Sequence, residues 1–303
     1  MMNHSNAGPG MTASRASWPV VRGLMCGAGL VLLAGSAVAQ NKATAPALER
    51  FDKAQFDSRS TTIDNPWLPM KPGMRYVYEG TTSKDDGKPV PHRIELNITD
   101  LTKVVMGVRV LISYDLDYSD GKLEEAELAF FAQDKAGNVW HFGQYPEEYS
   151  PAGKMTKAPA WIPPFENAAA GIMMKAEPKL GAPSYSQGYG PKVNWTDRGQ
   201  THLMGQTSKV PAGDYNDVLV IRETAEGEDG FQLKYYARGV GNIKVGWTGS
   251  DKTKEVLELV RVDTLSAKEM DDVRAKTLEL ENSAYVQSKN VYAKTAPAER
   301  LPK

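Results

Sequence analysis

The stretch that decides the fold is FFAQDKAGNVW, Phe130 to Trp140, because it occurs twice in the chain. It returns as YYARGVGNIK, Tyr235 to Lys244, which keeps an aromatic pair, an alanine, Gly-Asn and a β-branched residue. Gly, Asp and Asn accept the backbone angles of tight turns, and the flanking residues suit strands. Each copy therefore predicts one β-hairpin.

Two further pairs of segments keep the same order along the chain. KPGMRYVYEG (71–80) matches KLGAPSYSQG (179–188), and MGVRVLIS (106–113) matches AGDYNDVLVIRE (212–223). Three landmarks with nearly constant spacing predict an internal duplication, with one repeat over 71–145 and the other over 179–248.

Apolar residues from Tyr76 onward recur mostly at every second position, which is typical of strands with one buried face. The two repeats and an extra strand over 254–265 predict an antiparallel meander of about 10 or 11 strands. A twisted sheet of this size leaves two unprotected edges unless it curls or closes. We therefore expect a mainly β protein, a single β domain over 71–265 that forms a barrel or half-barrel.

Helices are predicted on both sides of this domain. Within residues 40–70, an apolar spacing near Pro46 to Phe56 predicts a helix, followed by a loop that leads into the first strand. Ser266 and Glu269 form a capping box that opens a C-terminal helix over 266–292, and residues 293–303 are predicted to be a solvated tail.

The segment between the repeats, residues 146–178, is rich in proline, which cannot donate to a sheet ladder. It also carries Trp161, Phe165 and Met173, which argue against disorder. We predict a packed lid or connection over one end of the barrel.

Residues 1–39 have the layout of a secretory signal. Arg15 and Arg22 precede a short apolar run, and Ala37-Val38-Ala39 is a cleavage site. The run is too short for a resident transmembrane helix, so the mature chain is predicted to be soluble and periplasmic or secreted, with no transmembrane segment. Cleavage leaves 34 basic against 37 acidic residues and no cysteine. This slight acidity argues against nucleic-acid binding.

No sequence motif for a cofactor, a metal site or a catalytic triad is present, and the three histidines of the predicted mature chain are not at metal-ligand spacing. Matching the repeats pairs His141 with Val245, so His141 should point inward on an otherwise apolar face. An inward histidine must find a hydrogen-bond partner or lose its charge. His141 is therefore a core residue, a ligand contact, an acid/base group or a metal ligand.

Other candidates carry weaker signals. Glu147 is the carboxylate that could work with His141. The acidic stretch DLDYSDGKLEE, Asp115 to Glu125, lacks calcium-loop spacing and is interpreted as an acidic hairpin turn. The residues expected to line a ligand site are His141, Trp140, Trp161, Met173, Met174 and Trp67.

The motifs NPWLPMKPGMRYVYEG, AQDKAGNVWHFG and LKYYARGVGNI resemble those of an uncharacterised group of exported bacterial β-rich proteins. The resemblance covers most of residues 64–262 and implies export and a β fold, with no catalytic residues. The expected architecture is also similar to that of periplasmic lipid and lipoprotein carriers, a likeness of fold that does not fix function.

Three hypotheses follow. The leading one is a periplasmic or secreted protein that binds or carries a small hydrophobic molecule or lipid in a β-barrel cavity. The second is a barrel enzyme that acts on a small hydrophobic substrate, with His141 as acid/base. The third is a structural or assembly factor of the cell envelope.

Overall fold

The computed structural model describes residues 47–84 and 87–301. The predicted signal segment, residues 1–39, lies outside the described residues. The described chain forms one antiparallel 15-stranded sheet and a C-terminal helix, which confirms the predicted fold class. The strands are β1 (Met74–Ser83), β2 (Pro89–Val105), β3 (Val108–Ser119), β4 (Lys122–Gln133), β5 (Val139–Tyr149), β6 (Met155–Lys157), β7 (Ala169–Met174), β8 (Tyr185–Ser186), β9 (Gly188–Tyr189), β10 (Arg198–Val210), β11 (Gly213–Thr224), β12 (Gly230–Ala237), β13 (Gly241–Gly249), β14 (Val256–Thr264) and β15 (Glu299–Arg300).

Long strands follow one another as a meander in two runs, β1 to β5 and β10 to β14, and β14 pairs with β1. Both copies of the repeated motif form hairpins, β4–β5 and β12–β13. In the first, Asp134 organises the turn: its carboxylate accepts hydrogen bonds from the backbone N–H of Ala136 and Asn138 and from Trp140 Nε1, at 2.8–3.0 Å. The duplication itself stays a prediction.

The sheet curls without forming a continuous hydrogen-bonded ring, so it is a half-barrel. Its strand order runs from β8 through β10 to β14, then β1 to β5, β7 and β9. The two ends of this path meet in one short segment, because β8 pairs with β10, β9 pairs with β7, and only Gln187 separates β8 from β9.

The two faces of the sheet carry separate apolar cores. We call the concave side the inner face, since residues from both runs of strands, such as Ile94, Leu111, Ile221 and Leu257, meet there in one cluster. The outer face carries the second cluster, which includes Phe130 and is covered by the helix.

That helix, α1 (Ala267–Gln287), begins at the predicted capping box: Ser266 Oγ accepts from the Glu269 backbone N–H, and the Glu269 side chain accepts in return. Its buried residues include Val273, Leu280 and Ala284, as the helical spacing predicts. A buried ion pair, Lys103 Nζ to Glu281 Oε1 at 2.7 Å, ties the helix to β2.

Three connecting segments differ from the sequence expectations. Near Pro46 to Phe56 the described part forms only a 3-10 turn, Lys53–Gln55, because Phe51 and Phe56 extend to pack against Trp140 and Phe142. The segment over 146–178 joins the sheet in part, through the end of β5, β6 and β7. The tail also pairs with the sheet, since β15 lies antiparallel to β2.

Candidate functional site

The acidic hairpin β3–β4 places four carboxyl groups on the inner face. Asp115 and Asp117 alternate with Tyr114, Leu116 and Tyr118, which face outward. The residues opposite them are Glu127 and Glu125, respectively. All four acidic side chains are buried, at most 6% exposed. The predicted hairpin forms, with its exposed turn at Asp120, Gly121 and Lys122, but the four acidic residues that precede and follow this turn are buried.

His92 lies at the end of this acidic row, on β2. Its Nε2 is 2.6 Å from Asp117 Oδ1, and its Nδ1 is 3.1 Å from Glu255 Oε1. Burial alone would lower the pKa of His92, but Asp117 and Glu255 outweigh it and raise the pKa to about 10. The ring is therefore a fixed cation near neutral pH.

Further carboxyl groups continue the row across β14 and β11. Gln232 Nε2 donates to Glu255 Oε2 at 3.1 Å, and Gln187 Nε2 donates to Glu223 Oε1 at 2.7 Å. Lys234 is buried on β12 and interacts with Glu223. We call the six buried carboxyl side chains the acidic belt: Asp115, Asp117, Glu125, Glu127, Glu223 and Glu255.

Burial is the largest influence on the protonation of the belt. It raises the pKa of Asp115, Glu125 and Glu127 well above the ordinary range, and the neighbouring carboxyl groups raise those of Glu125 and Glu127 further. Burial also raises the pKa of Asp117 to about 6, although His92 opposes the shift. The belt therefore holds protons that the same groups would release in water.

His141 points to the inner face, in a cage of aromatic rings. It stacks on Phe131 at a centroid distance of 5.0 Å and meets the edges or faces of Trp161 and Trp195 at 4.9 and 5.2 Å. Neither ring nitrogen makes a hydrogen bond of standard geometry to a described residue. Burial lowers the pKa to about 3, and the nearby backbone of Gln187 and Gly143 only partly opposes this. His141 is therefore neutral near pH 7.

The other expected lining residues divide between the two faces. Trp161, Met173, Met174 and Trp67 belong to the inner cluster. Trp140 belongs to the outer cluster, where its indole N–H is bonded to Asp134. The structure thus brings His141 together with Trp161, and it separates Trp140 from both.

Glu147 also lies on the outer face, where it accepts hydrogen bonds from the hydroxyl groups of Tyr145 and Tyr149 at 2.6 and 2.7 Å. His141 and Glu147 differ by an even number of residues, which predicts one face. A β-bulge at Phe142 and Gly143 inverts the alternation, since the paired positions step from Phe131–His141 to Ala129–Gln144. The sheet therefore separates the two candidate acid/base groups.

Several buried polar atoms on or beside the inner face find no hydrogen-bond partner among the described residues. In the belt region these include Thr82 Oγ1, Asp115 Oδ1, Asp117 Oδ2, Ser119 Oγ and Glu223 Oε2. Beside the aromatic cage they are the indole N–H groups of Trp161 and Trp195 and both amide atoms of Gln144. Sequence reasoning missed the belt, whose signal was the i, i+2 spacing of acidic residues on two paired strands.

The carboxyl groups are spread along the strands, not gathered on one point. Within residues 47–84 and 87–301, no group of three or more His, Cys, Asp or Glu side chains is arranged to hold a metal ion. None of the helices in this part of the chain has the length and apolar character to span a membrane.

No protein-family model and no curated protein matches the sequence. Two solved structures are similar to part of the chain. One is a candidate exported protein with a YmcC-like fold from Bacteroides fragilis, with a TM-score of 0.38 and 12% identity over 65% of this chain and 98% of its own. The other is a candidate lipoprotein from Parabacteroides distasonis, with a TM-score of 0.32 and 10% identity over 66% of this chain and 100% of its own.

Proposed function

We propose that the protein is an exported binding or carrier protein that holds a small hydrophobic molecule inside the curled sheet. The observation that carries this proposal is the group of buried polar atoms around the aromatic cage that have no hydrogen-bond partner among the residues the structure describes. Leaving a buried donor or acceptor unpaired costs about 1–3 kcal/mol, so such atoms call for a role.

The cage offers surfaces that suit such a molecule. The rings of Trp161 and Trp195 supply apolar area, and their N–H groups supply two donors. Gln144 lies beside them, since its backbone pairs with that of Trp161, and its side chain can donate and accept. Mostly apolar walls with a few polar groups are typical of small-molecule sites.

The same geometry disfavours catalysis by the predicted pair. His141 and Glu147 lie on opposite faces of the sheet, so one substrate cannot reach both. His92, with a pKa of about 10, keeps its proton and is poorly suited to exchange protons near neutral pH. We therefore favour binding over acid/base chemistry.

Native mass spectrometry of the protein purified from the envelope fraction tests this function. We expect a retained small molecule, and Trp161→Phe, which removes one indole N–H and keeps an aromatic ring, should reduce its occupancy. Trp247→Phe is the matched control, because Trp247 is 38% exposed. A protein mass without adduct under every gentle condition would favour the structural or assembly role.

Export is tested separately. The sequence places the cleavage site after Ala39. N-terminal sequencing of protein recovered from periplasm or medium should begin at Gln40. An intact first segment on a protein retained in the cytoplasm would contradict this part of the proposal.

A further inference from the structure

We propose that the molecule held by the curled sheet is an organic cation, with an ammonium or guanidinium group bound by the acidic belt and an apolar body directed to the aromatic cage. This inference rests on the proposed function and names the chemical class of the ligand.

The acidic belt contains more acidic side chains than there are basic side chains beside it. The belt has six carboxyl groups, and the basic side chains beside them are His92 and Lys234. His92 is already shared between Asp117 and Glu255. No ion pair between described residues involves Asp115, Glu125 or Glu127, so these three carboxyl groups have no cation of their own.

The second step is their arrangement across the strands. Asp115 lies directly opposite Glu127, and Asp117 lies directly opposite Glu125. If both carboxyl groups of a pair were ionised, their repulsion would destabilise the antiparallel strands and burial would increase the cost, so without a cation at least one of them must stay protonated. A sheet that served only as a scaffold would be more stable with apolar residues at these positions, so the carboxyl groups call for a bound positive charge.

A third observation is independent of the acidic residues. Ser119 Oγ lies next to His92 across the strands, and Gln144 lies two residues along β5 from the position opposite Glu127. Ser119 Oγ and both amide atoms of Gln144 are buried without a partner among the described residues. Hydroxyl and amide oxygens accept hydrogen bonds from an N–H group, as carboxylates do. The belt therefore offers neutral and acidic acceptors on one inner surface.

The spacing of the belt favours an organic cation over a metal ion. A metal ion needs several oxygens within about 2.6 Å of one centre, and the described residues include no such group. Carboxyl groups on β3, β4, β11 and β14 suit a larger cation whose N–H groups point in several directions. Such hydrogen bonds to ionised groups are about twice as strong as neutral ones.

Binding should be coupled to proton release. Burial raises the pKa of Asp115, Glu125 and Glu127, so these groups carry protons when no cation is present. When a cation arrives, a carboxylic acid releases its proton to solvent and becomes the carboxylate that faces the ammonium group. Affinity for the cation should therefore increase as the pH rises, as long as the ammonium group remains charged.

The experiment is calorimetric titration of the mature protein at pH 7 with three probes that share an octyl chain: octylammonium, 1-octanol and octanoate. We expect octylammonium to bind at least about tenfold more tightly than octanol, a difference of about 1.4 kcal/mol. Octanoate should bind most weakly. Titrations in phosphate and in MOPS, which differ in ionisation enthalpy, should show proton release for octylammonium alone.

Two isosteric variants test whether the acidic belt is the binding site of octylammonium. Glu127→Gln and Asp115→Asn should each weaken octylammonium about tenfold and leave octanol unchanged, and both should fold, because each removes a buried acid. Asp120→Asn is the matched control: it changes an exposed acid in the turn of the same hairpin and should leave both affinities unchanged.

The outcomes separate the two proposals. Equal affinity for the three probes would overturn the cationic class and leave a hydrophobic carrier in place. Failure of every probe to bind up to its solubility limit would overturn both. If octylammonium binds selectively and neither Glu127→Gln nor Asp115→Asn weakens its binding, the acidic belt is not its binding site.

Discussion

His92 on β2 contacts one acidic residue on either side of its strand: its two ring nitrogens lie 2.6 Å from Asp117 on β3 and 3.1 Å from Glu255 just before β14. Strand β1 runs between β2 and β14, and at the position opposite His92 it carries Gly80. A Cβ atom at Gly80 would overlap the Val256 carbonyl oxygen, so the glycine allows the chain at the start of β14 to lie this close to β1. His92 thus connects two members of the acidic belt, Asp117 and Glu255, through its two ring nitrogens.

Replacing this histidine should destabilise the protein. His92→Gln removes the charge that Asp117 and Glu255 share, and breaking a buried pair from one side costs about 3–5 kcal/mol. We expect this loss in the free energy of unfolding measured with urea. The double variant His92→Gln/Asp117→Asn should recover part of it, and a loss below about 1 kcal/mol for the single variant would show that the ion pair carries little stability.

Stability should fall as the pH rises. The pKa of His92 is raised from 6.5 to about 10, so the folded protein retains a proton between these values that the unfolded chain releases. Asp117 acts in the same direction between its ordinary value of 3.8 and about 6. The contribution of each group is complete below the unfolded pKa and lost as the pH passes the folded one.

Urea unfolding at pH 5, 7 and 9 measures this dependence. Each such proton contributes up to about 1.4 kcal/mol per pH unit within its window. Glu127→Gln removes one buried acid with a raised pKa and should flatten the slope. A free energy of unfolding that increased from pH 5 to pH 9 would contradict the proposed protonation of the belt.

The two buried histidines should differ in charge at the same pH. Nuclear magnetic resonance of the imidazole nitrogens at pH 7 should show His92 as imidazolium and His141 as neutral imidazole, because carboxylates surround the first and aromatic rings the second. His92→Gln and His141→Val assign the signals. A His141 signal that titrates between pH 5 and 7 would mean that water reaches the cage.

The β-bulge at Gly143 should tolerate no side chain. Its φ is +104°, and a Cβ atom there would lie 2.2 Å from the Trp161 carbonyl oxygen. Gly121, with a φ of +73° and no atom within 4 Å of a Cβ, is the matched control.

We expect Gly121→Ala to cost about 1–2 kcal/mol from backbone strain alone. Gly143→Ala must in addition displace the Trp161 backbone, so it should cost at least about 3 kcal/mol. Thermal unfolding of both variants provides the measurement, and equal losses would show that the bulge does not depend on close approach to Trp161.

Local chemistry explains which parts of the structure were predictable. The turn at Asp134 and the capping box of Ser266 and Glu269 depend on residues a few positions apart, and both formed where the sequence indicated. The bulge at Gly143 depends on Trp161, eighteen residues away, and so the face of Glu147 could not be read from alternation. The acidic belt was visible as alternation in Asp115 and Asp117, but alternation alone does not tell which face of a hairpin is buried, because that depends on strands distant in the sequence.

The two edges of the curled sheet meet at the segment Tyr185–Tyr189, which we call the seam. Most long strands pair with their neighbours over many residues, although β13 and β14 pair at only two positions, and each edge at the seam is held by a strand of only two residues. Local opening free energies follow the number of hydrogen bonds and contacts that must break. Local opening at the seam therefore costs less free energy than unfolding of the meander, so a molecule can enter the curled sheet without loss of the fold.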